Sequence, residues 1–356
     1  MVRPDLTRSE PGLEFSSKDW SHEVKTAVLK LGTFEGLIVT AAFLAAAVGG
    51  CSSSSSGNPA GSAGGDSSSS TSNVVGTFTV ALNPADASQP EHTTIFGTAY
   101  TGPVLSSVIQ TLVENNSECK VFSYSQHSCV PACLTTQTCV AANTCKDNPS
   151  LAGIGDATMT GIGSTVLKLS NINKNYQYAG DIIYPGFAEG DTITLSATGD
   201  TYPAFDVTAK GIAPVALGAA SYMITKGAPL ELKWTPGSAA VGAKMNLGLN
   251  ISKHGGSAGY LSCDVSDTGS YTIPATLITA LIELGVAGFP QLTVTRTAVG
   301  EEAVSSGVLQ FRIQGLAIPS LQVEGYCSCF NDGECGTCSD KSKTVCDTVK
   351  KLCHAP

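Results

Sequence analysis

The thirteen cysteines of this 356-residue chain fall into separate groups, and their spacing constrains the fold more than any other feature. Cys51 and Cys263 stand alone, five cysteines lie within residues 119–145, and the last six lie within residues 327–353. Each cluster is too short to bury an apolar core of its own, so it needs disulfide bonds or a metal ion to hold a structure. Because the total is odd, the cysteines cannot all be paired with one another within one chain.

The composition excludes several classes of protein. Only 14% of the residues are charged and the formal net charge is −9, so the chain lacks the basic surface that nucleic-acid binding requires. Only one apolar stretch, residues 36–50, is a candidate for contact with a membrane. A single stretch excludes a multi-span transporter. The 42% of hydrophobic residues suffices for cores in roughly two domains, and 38 glycines favour short strands and turns.

The amino-terminal part of the chain has the pattern of an export signal. Residues 36–50 form an uncharged run of 15 residues, shorter than the roughly 20 that span a bilayer. Lys25 and Lys30 precede this run, small residues close it, and Cys51 follows directly. We therefore expect residues 1–50 to be a signal peptide that is removed. An uncleaved signal anchor and an ordinary secretory signal are the alternatives.

Residues 44–51, LAAAVGGC, resemble the lipobox of bacterial lipoproteins, in which an aliphatic residue and small residues precede an invariant cysteine. The resemblance implies cleavage before Cys51, a diacylglyceryl thioether on its sulfur, and an acyl chain such as palmitate on the new amino terminus. Residues 51–73 are then the lipidated cysteine and a flexible Ser/Gly-rich tether. Ser52 and Ser53, by the same resemblance, imply the outer membrane of a bacterial cell envelope, with the lipid bilayer as a partner.

The rest of the chain predicts a mainly β fold. From Asn73 onward, short alternating or β-branched segments are separated by Gly, Pro, Asn and Asp. We expect an Ig-like antiparallel β-sandwich with one short helix over residues 151–325, preceded by a β segment with a cysteine-rich insert over residues 74–150. A cysteine-rich module over residues 326–356 ends the chain. Residues 74–150 and 151–325 are also open to interpretation as two separate subdomains.

Two segments have a definite apolar pattern. In residues 243–252 the apolar side chains alternate and should face the core; they are Met245, Leu247, Leu249 and Ile251. A helix is expected to begin at Pro274 and to stop at Gly285. Its apolar stripe consists of Leu277, Ile278, Leu281, Ile282 and Leu284. Residues 104–114 fit either a helix or a strand.

Residues 129–145, with cysteines separated by three, five and five residues, resemble half of an EGF-like module. The pairs that the resemblance implies are Cys129–Cys139 and Cys133–Cys145. Parity then leaves Cys119 to pair with Cys263, which attaches the insert to the β domain. In the alternative pairing, Cys145 is bonded to Cys263.

The carboxy-terminal cysteines allow three interpretations. They are Cys327, Cys329, Cys335, Cys338, Cys346 and Cys353. Outside the cytosol such a set favours three structural disulfides. The CxC and CxxC spacings would also suit a thiolate metal site, to which His354 could add a nitrogen ligand, or a redox-active pair.

Two further motifs suggest chemistry. Residues 255–259, GGSAG, match the GxSxG pattern with Ser257 as the nucleophile of a serine hydrolase. A strand is expected after this motif instead of a helix, and His354 is the only histidine downstream, so a hydrolase is disfavoured. Asp264 and Asp267 are a weak candidate for a calcium site. No other metal and no cofactor are expected.

We therefore expect a membrane-anchored envelope lipoprotein without catalytic activity, acting as a structural or interaction module with a surface protein or glycan as partner. The alternative is a glycan- or peptide-binding lipoprotein that uses aromatic side chains on an exposed sheet face; the candidates are Tyr176, Tyr178, Tyr184 and Phe187. Residues 74–325, and 254–275 above all, are similar to the corresponding region of uncharacterised cell-surface lipoproteins. That resemblance implies no known activity.

Overall fold

A computed structural model describes residues 73–86, 89–252 and 258–356 of the chain. The predicted signal peptide, Cys51 and the tether up to residue 72 lie outside the described residues, and so does Ser257. The expectations for these parts of the chain therefore stay predictions.

The described residues form 23 strands and two helices. The first eleven strands are β1 (Val74–Asn83), β2 (His92–Tyr100), β3 (Val108–Asn115), β4 (Cys119–Gln126), β5 (Gln137–Ala141), β6 (Thr144–Asp147), β7 (Leu151–Ala152), β8 (Ala157–Thr160), β9 (Leu167–Lys168), β10 (Ser170–Ile172) and β11 (Asn175–Gln177). The next elements are β12 (Thr192–Ala197), β13 (Phe205–Lys210), β14 (Ser221–Ile224), β15 (Leu230–Lys233), β16 (Lys244–Asn250), β17 (Gly259–Ser266), β18 (Ser270–Ile273) and α1 (Ala275–Glu283). The last are β19 (Gln291–Val304), β20 (Gly307–Ala317), β21 (Ser320–Val323), α2 (Asp332–Cys335), β22 (Val345–Asp347) and β23 (Leu352–His354).

One large sheet runs through most of the described chain. Its strands follow the order β10-β11-β2-β1-β20-β19-β16-β17-β4-β3, and β7, β14 and β21 join it at the side. The pairing is antiparallel apart from the pairs β1 with β20 and β14 with β21, which are parallel. At its centre, β19 and β20 form a hairpin of 14 and 11 residues in which Val304 lies opposite Gly307.

A first core lies between one half of the large sheet and a four-stranded sheet with the order β13-β12-β8-β9. Buried and more exposed positions alternate along β12, β13 and β20, as expected for strands that face a core on one side. The buried side chains include Phe78, Val80, Leu82, Ile193, Leu195, Phe311 and Ile313. The predicted class, a mainly β sandwich, is confirmed.

A second core lies under the other half of the large sheet and includes α1 and the two-stranded antiparallel sheet of β15 with β18. The prediction for residues 243–252 is confirmed, because all four alternating side chains are fully buried; they are Met245, Leu247, Leu249 and Ile251. Helix α1 begins one residue after Pro274, and Gly285 follows its end with a φ of +109°. The buried part of its stripe consists of Leu277, Ile278, Leu281 and Ile282.

The two cores do not follow the division at residue 150. β1 and β2 pack in the first core with strands from beyond residue 150, whereas β4 contributes Val121 to the second core. β19 contributes Val294 to the second core and Ala298 to the first. Strand partners in a sandwich are often distant along the chain, so no change of composition marks the boundary between the cores. Of residues 104–114, left open between helix and strand, residues 108–114 lie in β3 (Val108–Asn115), whereas 104–107 belong to neither type of element.

Two small segments complete the described chain. The insert contains the hairpin of β5 with β6, and the carboxy-terminal module contains α2 and the hairpin of β22 with β23. The buried residues of that module are cysteines: Cys329, Cys335, Cys338, Cys346 and Cys353. Neither helix in the described ranges has the length and apolarity needed to cross a membrane.

Candidate functional site

Every cysteine in the described part of the chain lies in a disulfide bond. The bonds of the insert are Cys129–Cys139 and Cys133–Cys145, the pairs that the EGF-like resemblance implied. Cys119 is bonded to Cys263, which lies directly opposite it on the neighbouring strand, and both are fully buried. The alternative pair of Cys145 with Cys263 is therefore wrong.

The carboxy-terminal cysteines pair first with fourth, second with fifth and third with sixth. The bonds are Cys327–Cys338, Cys329–Cys346 and Cys335–Cys353. Some of these sulfur atoms lie within 4.8 Å of one another, as metal ligands would. A metal site requires thiolates, however, and these sulfurs are bonded in pairs. A redox-active CxxC pair would bond Cys335 to Cys338, whereas each of these cysteines is bonded to a different partner. The arrangement agrees with the interpretation as structural disulfides.

The carboxy-terminal module is attached to the loop that follows α1. The hydroxyl of Ser328 donates a hydrogen bond to the carbonyl of Gly288 at 2.7 Å. The rings of Phe289 and Phe330 stack with their centroids 4.4 Å apart, and the ammonium of Lys351 lies 5.6 Å from the Phe330 ring centroid. The module therefore packs on the sandwich instead of hanging free from it.

Arg296, on β19 between the two cores, is buried with 1% of its side chain exposed. Its Nε and Nη2 donate to the carboxylate of Asp267 at 2.7 and 3.1 Å. Its remaining bonds run to the backbone carbonyls of Ala213 and Pro214, at 2.9 and 3.0 Å, and to that of Thr235, at 2.6 Å. The guanidinium thus joins β19 to two connecting segments of the chain.

The calcium interpretation of Asp264 and Asp267 is wrong for this structure. Both carboxylate oxygens of Asp267 accept hydrogen bonds from Arg296, and they also accept from the indole of Trp234 at 2.7 Å and the amide of Gly237 at 3.1 Å. These donors occupy the lone pairs that a cation would need. Asp264 accepts a bond from the side chain of Asn246 at 2.8 Å, and in the described residues neither aspartate belongs to a convergent set of three possible ligands.

Arg296 belongs to no motif, but the alternation of β19 indicates its position. Leu292, Val294 and Ala298 occupy alternate positions of β19 and are all buried. Arg296 falls in the same alternation, so it had to point inward and needed a buried partner.

The four aromatic candidates for a glycan-binding face do not form one. Tyr176 is buried with 1% exposed, and its hydroxyl accepts a hydrogen bond from the amide of Ile154 at 2.8 Å. Tyr178, Tyr184 and Phe187 are partly buried and pack against the first core. These rings serve the packing of the sandwich.

Tyr260 lies across the outward face of the large sheet. A Cβ on Gly248 would lie 1.9 Å from its hydroxyl oxygen, so only glycine leaves room for the ring over β16. Burial raises the pKa of Tyr260 to about 12; a hydrogen bond with Thr293 opposes this, while Tyr124 and Asp264 add to it. The folded protein therefore favours the neutral phenol.

This raised pKa predicts a loss of stability in alkali. The unfolded chain releases the Tyr260 proton near pH 10 and the folded chain only near pH 12, so the contribution is complete below pH 10 and is lost as the pH rises to 12. The ring keeps some contact with solvent, and we expect a decrease of about 1–2 kcal/mol in the free energy of unfolding. Urea titrations from pH 9 to 12 measure it. Tyr260→Phe should make this part of the profile less steep but not flat, because burial also raises the pKa of other tyrosines; they are Tyr124, Tyr176, Tyr184, Tyr222 and Tyr271. An unchanged profile in that variant would contradict the assignment.

One edge of the large sheet is formed by β3, and β10 is the last strand at the other end of the sheet order. β3 pairs with β4 on one side and is the last strand at its own end of the sheet order. Leu112 and Val113 are 49% and 43% exposed, and a bulge interrupts the ladder between Leu112 and Glu114. This is the largest run of exposed positions in any strand of the described chain that belongs to the large sheet.

An open cavity of about 410 Å³ adjoins this edge. It is lined by Glu114 and by one side of α1, including Ala275, Thr276, Thr279 and Ala280. Glu283, also in the lining, forms an ion pair with Lys226 at 2.9 Å. We call this cavity the β3–α1 groove. The sequence analysis missed it, because a groove between a strand and a distant helix leaves no local pattern.

The candidate catalytic serine cannot be placed, since Ser257 lies outside the described residues. His354 lies on β23 in the carboxy-terminal module, with its Nδ1 at hydrogen-bonding distance from the Ala355 carbonyl. The structure therefore leaves the hydrolase hypothesis untested.

No family model matches the chain, and no curated protein matches it. Among solved structures, the chain is similar to the FN1–FN3 domains of chicken CNTN1 at 11% sequence identity. The match covers 64% of this chain and 68% of that one, with a TM-score of 0.17. A superposition of this quality does not establish a common fold.

Proposed function

We propose that the protein is an exported, lipid-anchored module of the bacterial cell envelope that acts through binding instead of catalysis. The observation that carries this proposal is that all twelve cysteines of the described chain are paired. Six disulfides persist in an oxidising compartment outside the cytosol. The thirteenth cysteine, Cys51, is the one that the lipobox resemblance assigns to lipid.

A binding role agrees with the way in which the chemical groups are used. The carboxylate of Asp267 is held by Arg296, and the carboxy-terminal sulfurs are bonded to one another. A sandwich whose insert and carboxy-terminal module are held by disulfide bonds is a suitable scaffold for loops and sheet edges that contact a partner.

Metabolic labelling with a clickable palmitate analogue tests the anchor. We expect the wild-type protein to be labelled and Cys51→Ala to lose at least about 90% of the label, because the thioether and the new amino terminus both depend on that residue. Cys51→Ala should also keep residues 1–50 and migrate as the larger, uncleaved precursor.

Ser52→Ala is the matched control, since it changes the neighbouring residue and leaves the sulfur in place. It should be labelled like the wild type. Equal labelling of Cys51→Ala and wild type would refute the lipid anchor.

A further inference from the structure

The free edge of β3 offers a template for another strand. An edge strand carries unpaired backbone N–H and C=O groups along its outer side, and soluble proteins usually shield them. Within the described residues no strand pairs with the outer side of β3, which is eight residues long. Near its two ends the backbone N–H of Val108 donates to the hydroxyl of Ser106 and that of Asn115 to the carboxylate of Glu114, each at 3.0 Å. Its exposed Leu112 and Val113 place apolar side chains at this edge.

The β3–α1 groove supplies a place for side chains beside that edge. An added strand projects alternate side chains to either face of the sheet, so one set would extend toward α1. The groove there is shallow and is lined in part by small side chains, Ala275 and Ala280 among them, so side chains of a bound segment would lie against α1.

The charges around β3 and the β3–α1 groove indicate which kind of segment would bind there. Residues 108–118 contain Glu114 and Glu118 and no lysine or arginine. Lys226, next to Gly227 of the groove lining, forms an ion pair with Glu283, and Lys120 of β4 lies opposite Asn115 of β3. Glu114, Glu118 and Glu283 thus compare with two lysines. The carboxylates therefore exceed the cations. A second copy of the chain would place two acidic edges side by side, whereas a basic segment would be attracted.

We propose that β3 binds an extended, basic peptide segment of a partner protein by strand addition, with its lysine or arginine side chains facing Glu114 and the β3–α1 groove. The proposal deepens the binding role given above and does not depend on the lipid anchor. Backbone hydrogen bonds to β3 would give the affinity, and the carboxylates would give the preference for basic side chains.

The test uses the full-length protein in mild detergent and a fluorescein-labelled peptide of four Lys-Val repeats, with anisotropy as the readout. We expect saturable binding that weakens as salt is raised. Glu114→Lys should weaken binding by about fivefold to tenfold, since it removes an attraction and adds a repulsion. The matched control is Asp206→Lys on the exposed side of β13, which should change binding by less than about twofold.

Two further peptides separate strand addition from simple charge attraction. A Lys-Val peptide with alternate backbone amides methylated keeps its charge but loses hydrogen bonds, and it should bind at least about tenfold more weakly. A peptide of four Glu-Val repeats should not bind. Amide hydrogen exchange of β3 should slow when the Lys-Val peptide is present.

The proposal is overturned if the Lys-Val peptide does not bind, if the methylated or acidic peptide binds equally well, or if Glu114→Lys behaves like wild type. Concentration-dependent dimers that protect β3 without peptide would overturn it in favour of self-association. Cys51→Ala should bind the peptide like wild type, so failure of the anchor and failure of the docking edge are distinguished.

Discussion

Replacing Arg296 with methionine is expected to lower the free energy of unfolding by about 3–5 kcal/mol, the range observed when one member of a buried ion pair is removed. The variant leaves the carboxylate of Asp267, 8% exposed, without its charge partner. It also leaves the carbonyls of Ala213, Pro214 and Thr235 without their donor. Urea unfolding followed by circular dichroism measures the change.

The double variant Arg296→Met with Asp267→Leu is the control, because it removes both charges together. It should recover part of the lost stability but not all, since the three backbone carbonyls still lack a donor. A single variant within about 1 kcal/mol of wild type would show that the ion pair is not needed to hold the junction between the cores.

Removing the disulfide bond between Cys119 and Cys263 is expected to lower the free energy of unfolding by an amount similar to that for Arg296→Met. The bond joins residues 144 apart in sequence, and chain entropy assigns about 5 kcal/mol to a loop of this length. The cysteines lie opposite each other on β4 and β17 in the second core, so the stabilisation applies to the sandwich itself. The variant has both cysteines changed to alanine. Urea unfolding of this variant and of the wild type measures the loss of stability.

The bond between Cys129 and Cys139 provides the contrast. It closes a separation of only 10 residues within the segment 127–150, and no residue of that segment belongs to either core. Changing both to alanine should unfold the insert locally and alter the stability of the sandwich by less than about 0.5 kcal/mol. Equal losses in the two double variants would mean that the insert and the sandwich unfold as one unit.

The sequence allowed prediction of those features that depend on local alternation. Met245, Leu247 and Leu249 lie on one face because successive side chains of a strand point to opposite sides. The stripe of α1 followed from its helical spacing in the same way, and the pairs of the insert followed from a resemblance in cysteine spacing.

Features that depend on how distant strands come together were missed. Alternation along β11 does not reveal that Tyr176 faces the first core, because the strand has only three residues. The interleaving of the two cores and the β3–α1 groove arise from pairing between strands far apart in sequence, such as β1 with β20. Composition and periodicity carry no information on such partners.

The central hairpin of β19 and β20 has a mechanical consequence. A protein held at its amino-terminal side and bound at an edge transmits force through its sheet. Tension entering at β1 runs along its parallel ladder with β20, so several hydrogen bonds share the load in shear instead of opening one by one. β20 passes the load to β19, which continues through both cores. An anchor before Asn73, as proposed above, would therefore load β1 first and reach β3 only through the central hairpin and the strands beyond it.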